Sequence, residues 1–189
     1  MTATPIRPRL AAVWIVLAVL VSVVAAIEYG DHKSGGGGEE RSADALLPVG
    51  LQDLDAVEIG QAGTMHRFER DHHGAWFYHG VHGSAEAPHD HHADPAKADM
   101  IAKALAGFAR ARIERRLPAG GAGYGLAAPR MLIVIYRHDE SRPFAQYAVG
   151  DVAPDSFSRY VQKLGNAEAV TIANYQIENL VKLIEAMRN

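Results

Sequence analysis

Apolar residues follow three different spacings along the chain, and the first of these predicts a membrane span. Residues 10–27 form an uncharged, almost entirely apolar run, which as a helix crosses most of a hydrocarbon core about 30 Å thick. Arg7 and Arg9 precede this run, while Glu28 and Asp31 follow it. Because basic residues favour the cytoplasmic side, we expect a cytoplasmic N-terminus and an exported remainder.

A cleavable secretory signal peptide is the alternative interpretation of the same segment. It too combines a basic start with an apolar core, and residues 24–26 have the small side chains of a cleavage site. The apolar run exceeds the roughly 7–15 residues of a signal-peptide core, which favours an uncleaved anchor. Under that interpretation, residues 1–9 are cytoplasmic and residues 28–45, with their run of four glycines, form a flexible linker.

From residue 54 the apolar residues alternate with polar ones, which is typical of half-buried strands. Turn residues at 62–63 and 73–74 divide residues 54–78 into a three-stranded meander in which Trp76 is expected in the core. Further strands are predicted at residues 113–117, 131–136, 144–149, 157–164 and 169–173.

Two segments repeat their apolar residues at helical spacing instead. The first stripe consists of Met100, Ile101, Ala104, Leu105 and Phe108, and the second of Ile177, Leu180, Val181, Ile184 and Met187. Asp94 and Pro95 have the residue types of an N-cap and a first helical position, and Asn174 is a second candidate N-cap. The pattern therefore predicts an α+β protein in which an N-terminal transmembrane helix is followed by an antiparallel β-sheet domain, residues 46–189, covered by two helices.

Composition narrows the range of functions. Beyond the predicted span, 17 basic residues face 22 acidic ones, so the exported part has a net charge of −5 and nucleic acid is not expected as a partner. The chain has no cysteine, which rules out disulfides, thiolate metal sites and cysteine nucleophiles. It also has no GxSxG, HExxH or dinucleotide-binding motif. We therefore do not expect an enzyme.

Histidine is the one compositional anomaly, because eight of the ten histidines fall between residues 66 and 92. Imidazole and carboxylate groups suit Zn²⁺ or Cu²⁺, so a histidine-rich loop at residues 79–93 is a candidate chelating segment. The alternative is a solvated, variable loop that holds no metal in the cell. The candidate ligands are His79, His82, His89, Asp90, His91 and His92.

Several short motifs after residue 67 resemble the domain of unknown function 4340 family. The most specific part of the resemblance is the order of a GL-x-x-P segment, an apolar strand, a GD pair and a YV pair; these begin at Gly125, Leu132, Gly150 and Tyr160. It covers residues 46–187. The resemblance implies anchoring outside the bacterial cytoplasmic membrane, in some relatives beside transporter components, and it supplies no catalytic residues. The histidine-rich insertion between Tyr78 and Asp94 departs from the family pattern.

These observations favour a non-catalytic accessory subunit of the bacterial inner membrane. It would have one span, a cytoplasmic N-terminus and a periplasmic domain, with the lipid bilayer and an integral membrane complex as partners. Two alternatives stay open. One is a periplasmic protein that buffers or delivers zinc or copper through the histidine-rich loop, and the other is a structural anchor of the cell envelope.

Overall fold

A computed structural model describes residues 43–81, 94–118, 123–138 and 140–188 of the chain. A short 3-10 turn at Leu51–Asp53 precedes the first strand. The strands are β1 (Leu54–Gln61), β2 (Thr64–Arg70), β3 (Trp76–Val81), β4 (Arg115–Leu117), β5 (Met131–Arg137), β6 (Ala145–Val152), β7 (Ser158–Lys163) and β8 (Ala169–Ala173). The helices are α1 (Pro95–Ala109) and α2 (Asn174–Arg188).

The strands form one eight-stranded sheet in the order β3-β2-β1-β5-β6-β7-β8-β4. All neighbouring strands are antiparallel. Two meanders, β1-β2-β3 and β5-β6-β7-β8, meet where β1 pairs with β5. The antiparallel sheet and the three-stranded meander predicted from the alternation are therefore confirmed.

One face of the sheet carries the hydrophobic core. Val57 and Ile59 of β1 lie opposite Ile135 and Ile133 of β5, and all four are buried. Trp76 is buried as predicted. Alternation sends every second residue of each strand to this face, which matches the period of two in β1. β5 is instead a continuous apolar run, in which Val134 on the opposite face is buried as well.

Both helices pack against the core and against each other. The carboxylate of Asp94 accepts a hydrogen bond from the backbone N–H of Ala96 at 3.0 Å, and Pro95 occupies the first helical position, as expected of this N-cap. Phe108 of α1 meets Tyr147 of β6 edge to face, with 6.1 Å between the ring centroids. The two predicted helices covering the sheet are confirmed. The buried residues of the helices include Ile101, Leu105, Phe108, Ile177, Leu180, Leu183 and Ile184.

The strand predicted at residues 113–117 is shorter in the structure and begins only at Arg115. Just before it, the backbone N–H of Ile113 donates to the carbonyl of Asp44 at 2.6 Å, and Ala45 forms an isolated β-bridge with Arg112. The backbone N–H of Glu114 donates to Thr171 of β8 at 2.8 Å, so the residues just before β4 bond both to β8 and to the chain that precedes the sheet.

The predicted membrane span at residues 10–27 and the competing signal peptide lie outside the described residues. Within the described ranges, no helix has the length and apolarity needed to cross a bilayer.

The loop that precedes β5 packs tightly against β6 at a glycine. A Cβ atom on Gly150 would lie 2.0 Å from the carbonyl oxygen of Tyr124, so the backbone of one segment would have to move. In contrast, a Cβ atom on Gly107 of α1 would meet nothing within 4 Å.

We expect Gly150→Ala to lower the free energy of unfolding by about 1–3 kcal/mol, the usual cost of overpacking. Gly107→Ala should instead raise it by up to about 1 kcal/mol, because alanine is the better helix former. Urea denaturation of the full chain followed by circular dichroism measures both. Equal stability of Gly150→Ala and the wild type would contradict the close packing of this loop.

Candidate functional site

The structure describes only one of the six predicted metal ligands. His79 lies on β3, where its Nδ1 is 2.6 Å from Oε1 of Glu69 on the neighbouring strand. The described ranges contain no group of three or more histidine, aspartate or glutamate residues placed to hold a metal ion. The other five candidates lie outside those ranges, so metal binding by the loop stays a prediction; they are His82, His89, Asp90, His91 and His92.

The face of the sheet opposite the helices carries a polar network centred on Arg67 of β2. Its guanidinium donates to Oε1 of Glu58 at 2.8 Å and to Oε2 of Glu69 at 2.7 Å. The hydroxyl of Tyr136 on β5 donates to the second carboxylate oxygen of Glu58 at 3.0 Å. The network therefore spans β1, β2 and β5, and His79 extends it to β3.

Electrostatics explain why this network is held together. Burial by itself lowers the pKa of Arg67, but hydrogen bonds and charge attraction from Glu58 and Glu69 outweigh it and raise the pKa overall. Glu58 is buried, and a buried carboxylate is tolerated where a cation pairs with it. Arg67 thus pairs with two carboxylates and stabilises them on the same face of the sheet.

The sequence shows the residue types of the network, but it does not show that these side chains contact one another. Glu58, Arg67 and Glu69 occupy polar positions of alternating strands, so a location on the solvent side could have been inferred. Their contact depends on the register in which Glu58 lies opposite Arg67. Tyr136 comes from a strand 78 residues away from Glu58.

An open groove lies between the β2–β3 turn and the first half of α1. Its volume is about 830 Å³, and Trp76, Pro95 and Ala98 contribute apolar surface. His72 and His73 also line the groove, with their ring centroids 3.9 Å apart. A concave surface of this size and mixed character is suited to binding a small molecule or a short peptide segment.

Two charged residues of the groove, Arg70 and Asp71, are held by the backbone. Arg70 lies over the ring of Trp76, 4.6 Å from its centroid, and donates to the carbonyls of Leu51 at 3.0 Å, Leu54 at 2.9 Å and Gly74 at 2.5 Å. Since every donor nitrogen of Arg70 is used in this way, the guanidinium holds the turn in place.

Asp71 has a similar structural role on the same turn. Its carboxylate accepts hydrogen bonds from the backbone N–H groups of Ala75 at 2.8 Å and His73 at 2.9 Å. These bonds, the one from Ala75 first, lower the pKa of Asp71. A carboxylate kept ionised by its own turn is poorly placed to act as a general acid near neutral pH.

The motifs that carry the family resemblance converge in space at the opposite end of the sheet. The rings of Tyr124 and Tyr160 lie against each other, with centroids 4.5 Å apart. The backbone N–H of Asp151 donates to the carbonyl of Tyr124 at 2.9 Å, and the Asp151 carboxylate pairs with Arg130 at 2.7 Å. Gly150 permits this approach. The residues of these motifs therefore pack together where the loop before β5 contacts β6 and β7.

One family model matches the chain, that of the Domain of unknown function (DUF4340), and it covers residues 84–189. This match includes more than half of the chain. Neither a curated protein nor a solved structure matches.

Replacing Arg67 with methionine should lower the free energy of unfolding by about 3 kcal/mol, because the substitution leaves the buried Glu58 without its cation. The matched control is Arg116→Met, which removes an exposed ion pair to Glu168 and should cost less than about 1 kcal/mol. Chemical denaturation of both variants at pH 7 gives the comparison. If Arg67→Met lowers the free energy of unfolding by no more than the control does, the contacts of Arg67 contribute little to stability.

His66 should make the fold sensitive to mild acid. The side chain is buried, and its Nδ1 lies 2.8 Å from the hydroxyl of Tyr78. Burial, and then the charge of Arg188, lower the pKa of His66 below 6.5. The unfolded chain therefore binds a proton at a higher pH than the folded chain does, so stability is retained above about pH 6.5 and falls as the pH drops towards the folded-state pKa.

Denaturation curves between pH 7 and pH 5 test this expectation. His66→Gln keeps a hydrogen-bonding side chain without the titration, so it should lose less stability across the range than the wild type. His73→Gln, at an exposed position, is the control and should follow the wild type. If the stability of the wild type and of His66→Gln depends on pH in the same way, His66 is not the cause of the acid sensitivity.

Proposed function

This chain belongs to the DUF4340 family, and we propose that it is a non-catalytic, membrane-anchored accessory subunit of a larger membrane complex. Its periplasmic domain would contact the partner, while residues 10–27 would hold it in the bacterial inner membrane. The N-terminus would be cytoplasmic.

The observation that carries this proposal is the character of the groove beside α1. Arg70 and Asp71 are engaged by the backbone, so their charges stabilise the shape of the groove. The remaining surface combines Trp76, two histidines, small residues of α1 and Asp99, whose carboxylate pairs with Lys103 at 2.9 Å. This combination supports recognition of another molecule better than turnover of a substrate.

The polar face of the sheet supports the same proposal. Arg67 is shared between Glu58 and Glu69, and Tyr136 donates to Glu58. These contacts join β1, β2 and β5, so they give the network a structural role in the sheet.

The sequence supplies the membrane part of the proposal. Residues 10–27 contain no charged side chain, and basic residues precede them while acidic residues follow them. A span followed by a glycine-rich linker of this length keeps the domain within a few tens of ångströms of the bilayer. A partner in the same membrane would therefore meet the domain at a high effective concentration.

Metal buffering or delivery is the rival function, and the described residues add no support to it. One sample can separate the two functions, because an accessory subunit requires a stoichiometric partner, whereas a metal carrier requires bound zinc or copper.

We expect the full chain, tagged at its C-terminus and extracted gently from its native membrane without a metal-affinity step, to run as a complex larger than a monomer. Its size is measured by native chromatography, and its zinc, copper and nickel content by mass spectrometry of the same fraction. A free monomer without metal would oppose both functions. A monomer that carries metal, and loses it when His89, His91 and His92 are replaced by alanine, would favour the rival.

Protease added to spheroplasts tests the topology in the same cells. The C-terminal tag should be removed from outside while the membrane stays intact, because the domain is expected in the periplasm. Complete protection of the tag, alongside cleavage of a known periplasmic protein, would contradict the proposed orientation.

A further inference from the structure

A phenylalanine is presented to solvent at the end of the sheet where β6 turns into β7. Phe157 is 81% exposed, and it is accompanied by Tyr175, 59% exposed, and Val152, 41% exposed. The backbone N–H of Asn174, beside Tyr175, donates to the carbonyl of Phe157 at 2.6 Å. Val152 pairs across the sheet with Arg159, whose Nε donates to Asn174 at 2.9 Å. We call these three side chains, Val152, Phe157 and Tyr175, the Phe157 patch.

The turn that carries Phe157 is tied down by many hydrogen bonds. The carboxylate of Asp155 accepts from the backbone N–H groups of Phe157 at 2.9 Å and Ser158 at 2.8 Å. The Ser158 hydroxyl lies 2.8 Å from a carboxylate oxygen of Glu114 and 2.9 Å from one of Asp155, and it donates its single proton to one of them. Arg115 of β4 forms an ion pair with the Asp155 carboxylate. Phe157 is thus held at a defined position.

The turn also adopts an unfavourable backbone conformation to reach this geometry. Ser156 has a φ of 63°, in the left-handed region that non-glycine residues seldom occupy. Its N–H donates to the carbonyl of Ala153 at 2.9 Å. Strain of this kind persists where the surroundings over-determine the conformation, and it is concentrated at functional positions.

Charges at the edge of the Phe157 patch neutralise one another within the domain. Arg115 pairs with Asp155, and Arg130 pairs with Asp151 at 2.7 Å. The surroundings of the patch therefore offer little net charge to attract an anionic lipid surface. An apolar, uncharged counterpart is the better match.

The size of the patch limits the kind of association. Two partly exposed aromatic side chains and a valine offer on the order of 400 Å², since an aromatic side chain contributes roughly 150–250 Å². A stable interface between two free proteins buries about 800 Å² on each side. The patch is therefore too small to hold a dimer of untethered domains, but it suffices as an anchor where partner and domain are already confined together.

We propose that the Phe157 patch docks into an apolar pocket on the extracytoplasmic part of a partner membrane protein, with Phe157 as the anchoring side chain. This inference rests on the proposed function, because it identifies the surface through which the accessory subunit contacts its complex.

The experiment compares Phe157→Ala with Leu164→Ala in the full chain, extracted gently from its native membrane. Leu164 is 46% exposed and lies in the turn that follows β7, so it controls for loss of an exposed apolar side chain elsewhere. We expect Phe157→Ala to reduce the fraction in the complex roughly tenfold or more, as truncation of an aromatic anchor does. Leu164→Ala should leave it unchanged, and Phe157→Trp should retain it.

A photoreactive phenylalanine analogue at position 157 identifies what the patch touches. We expect a crosslink to one polypeptide of a different mass, and none to that polypeptide when the analogue replaces Leu164. A product of twice the mass of this chain, or adducts with lipid alone, would overturn the inference. So would a Phe157→Ala variant that keeps the whole complex while its thermal unfolding matches the wild type.

The failure of this inference is distinguishable from failure of the proposed function. If the wild type itself runs as a monomer, both are wrong. If the wild type is in a complex and Phe157→Ala is too, the accessory role survives and the contact surface lies elsewhere.

Discussion

The antiparallel pairing of β1 with β5 is the contact on which both halves of the domain depend. It joins two meanders into one sheet and aligns Val57 and Ile59 with Ile135 and Ile133 beneath the helices. Because side chains alternate between the faces of a strand, a shift of this register by one residue would expose the core and bury the charged network. The backbone hydrogen bonds between β1 and β5 therefore position both the hydrophobic core and the charged network on the opposite face of the sheet.

The two faces of the sheet then serve different purposes. The helix-covered face is a single apolar core, whereas the opposite face places Arg67 between Glu58 and Glu69. At the ends of the sheet, side chains hold the backbone of the turns: Arg70 donates to three carbonyls beside the groove, and Asp155 accepts from two backbone N–H groups beside Phe157. Hydrogen bonds from side chains to the backbone therefore fix the conformation of the turns at both ends of the sheet.

The elements of this domain could be predicted from local patterns to a large extent. The alternation around Val57 and the stripe that includes Leu105 and Phe108 are local signals, and the structure confirms a strand and a helix there. The start of β4 could not be predicted in this way. Ile113 has the residue type of a strand, but its N–H is taken by Asp44, a partner distant in sequence.

Residues that are neighbours along the chain were enough to predict both helices, the turns, the family and the strands apart from the start of β4. Three features became visible in the folded domain alone: the contact of Glu58 with Arg67 and Tyr136, the groove beside Trp76, and the exposure of Phe157 on a hydrogen-bonded turn. The physical reason is that strand register and helix packing bring these groups together across long stretches of chain. Neither propensity nor hydrophobic period specifies such distant pairings.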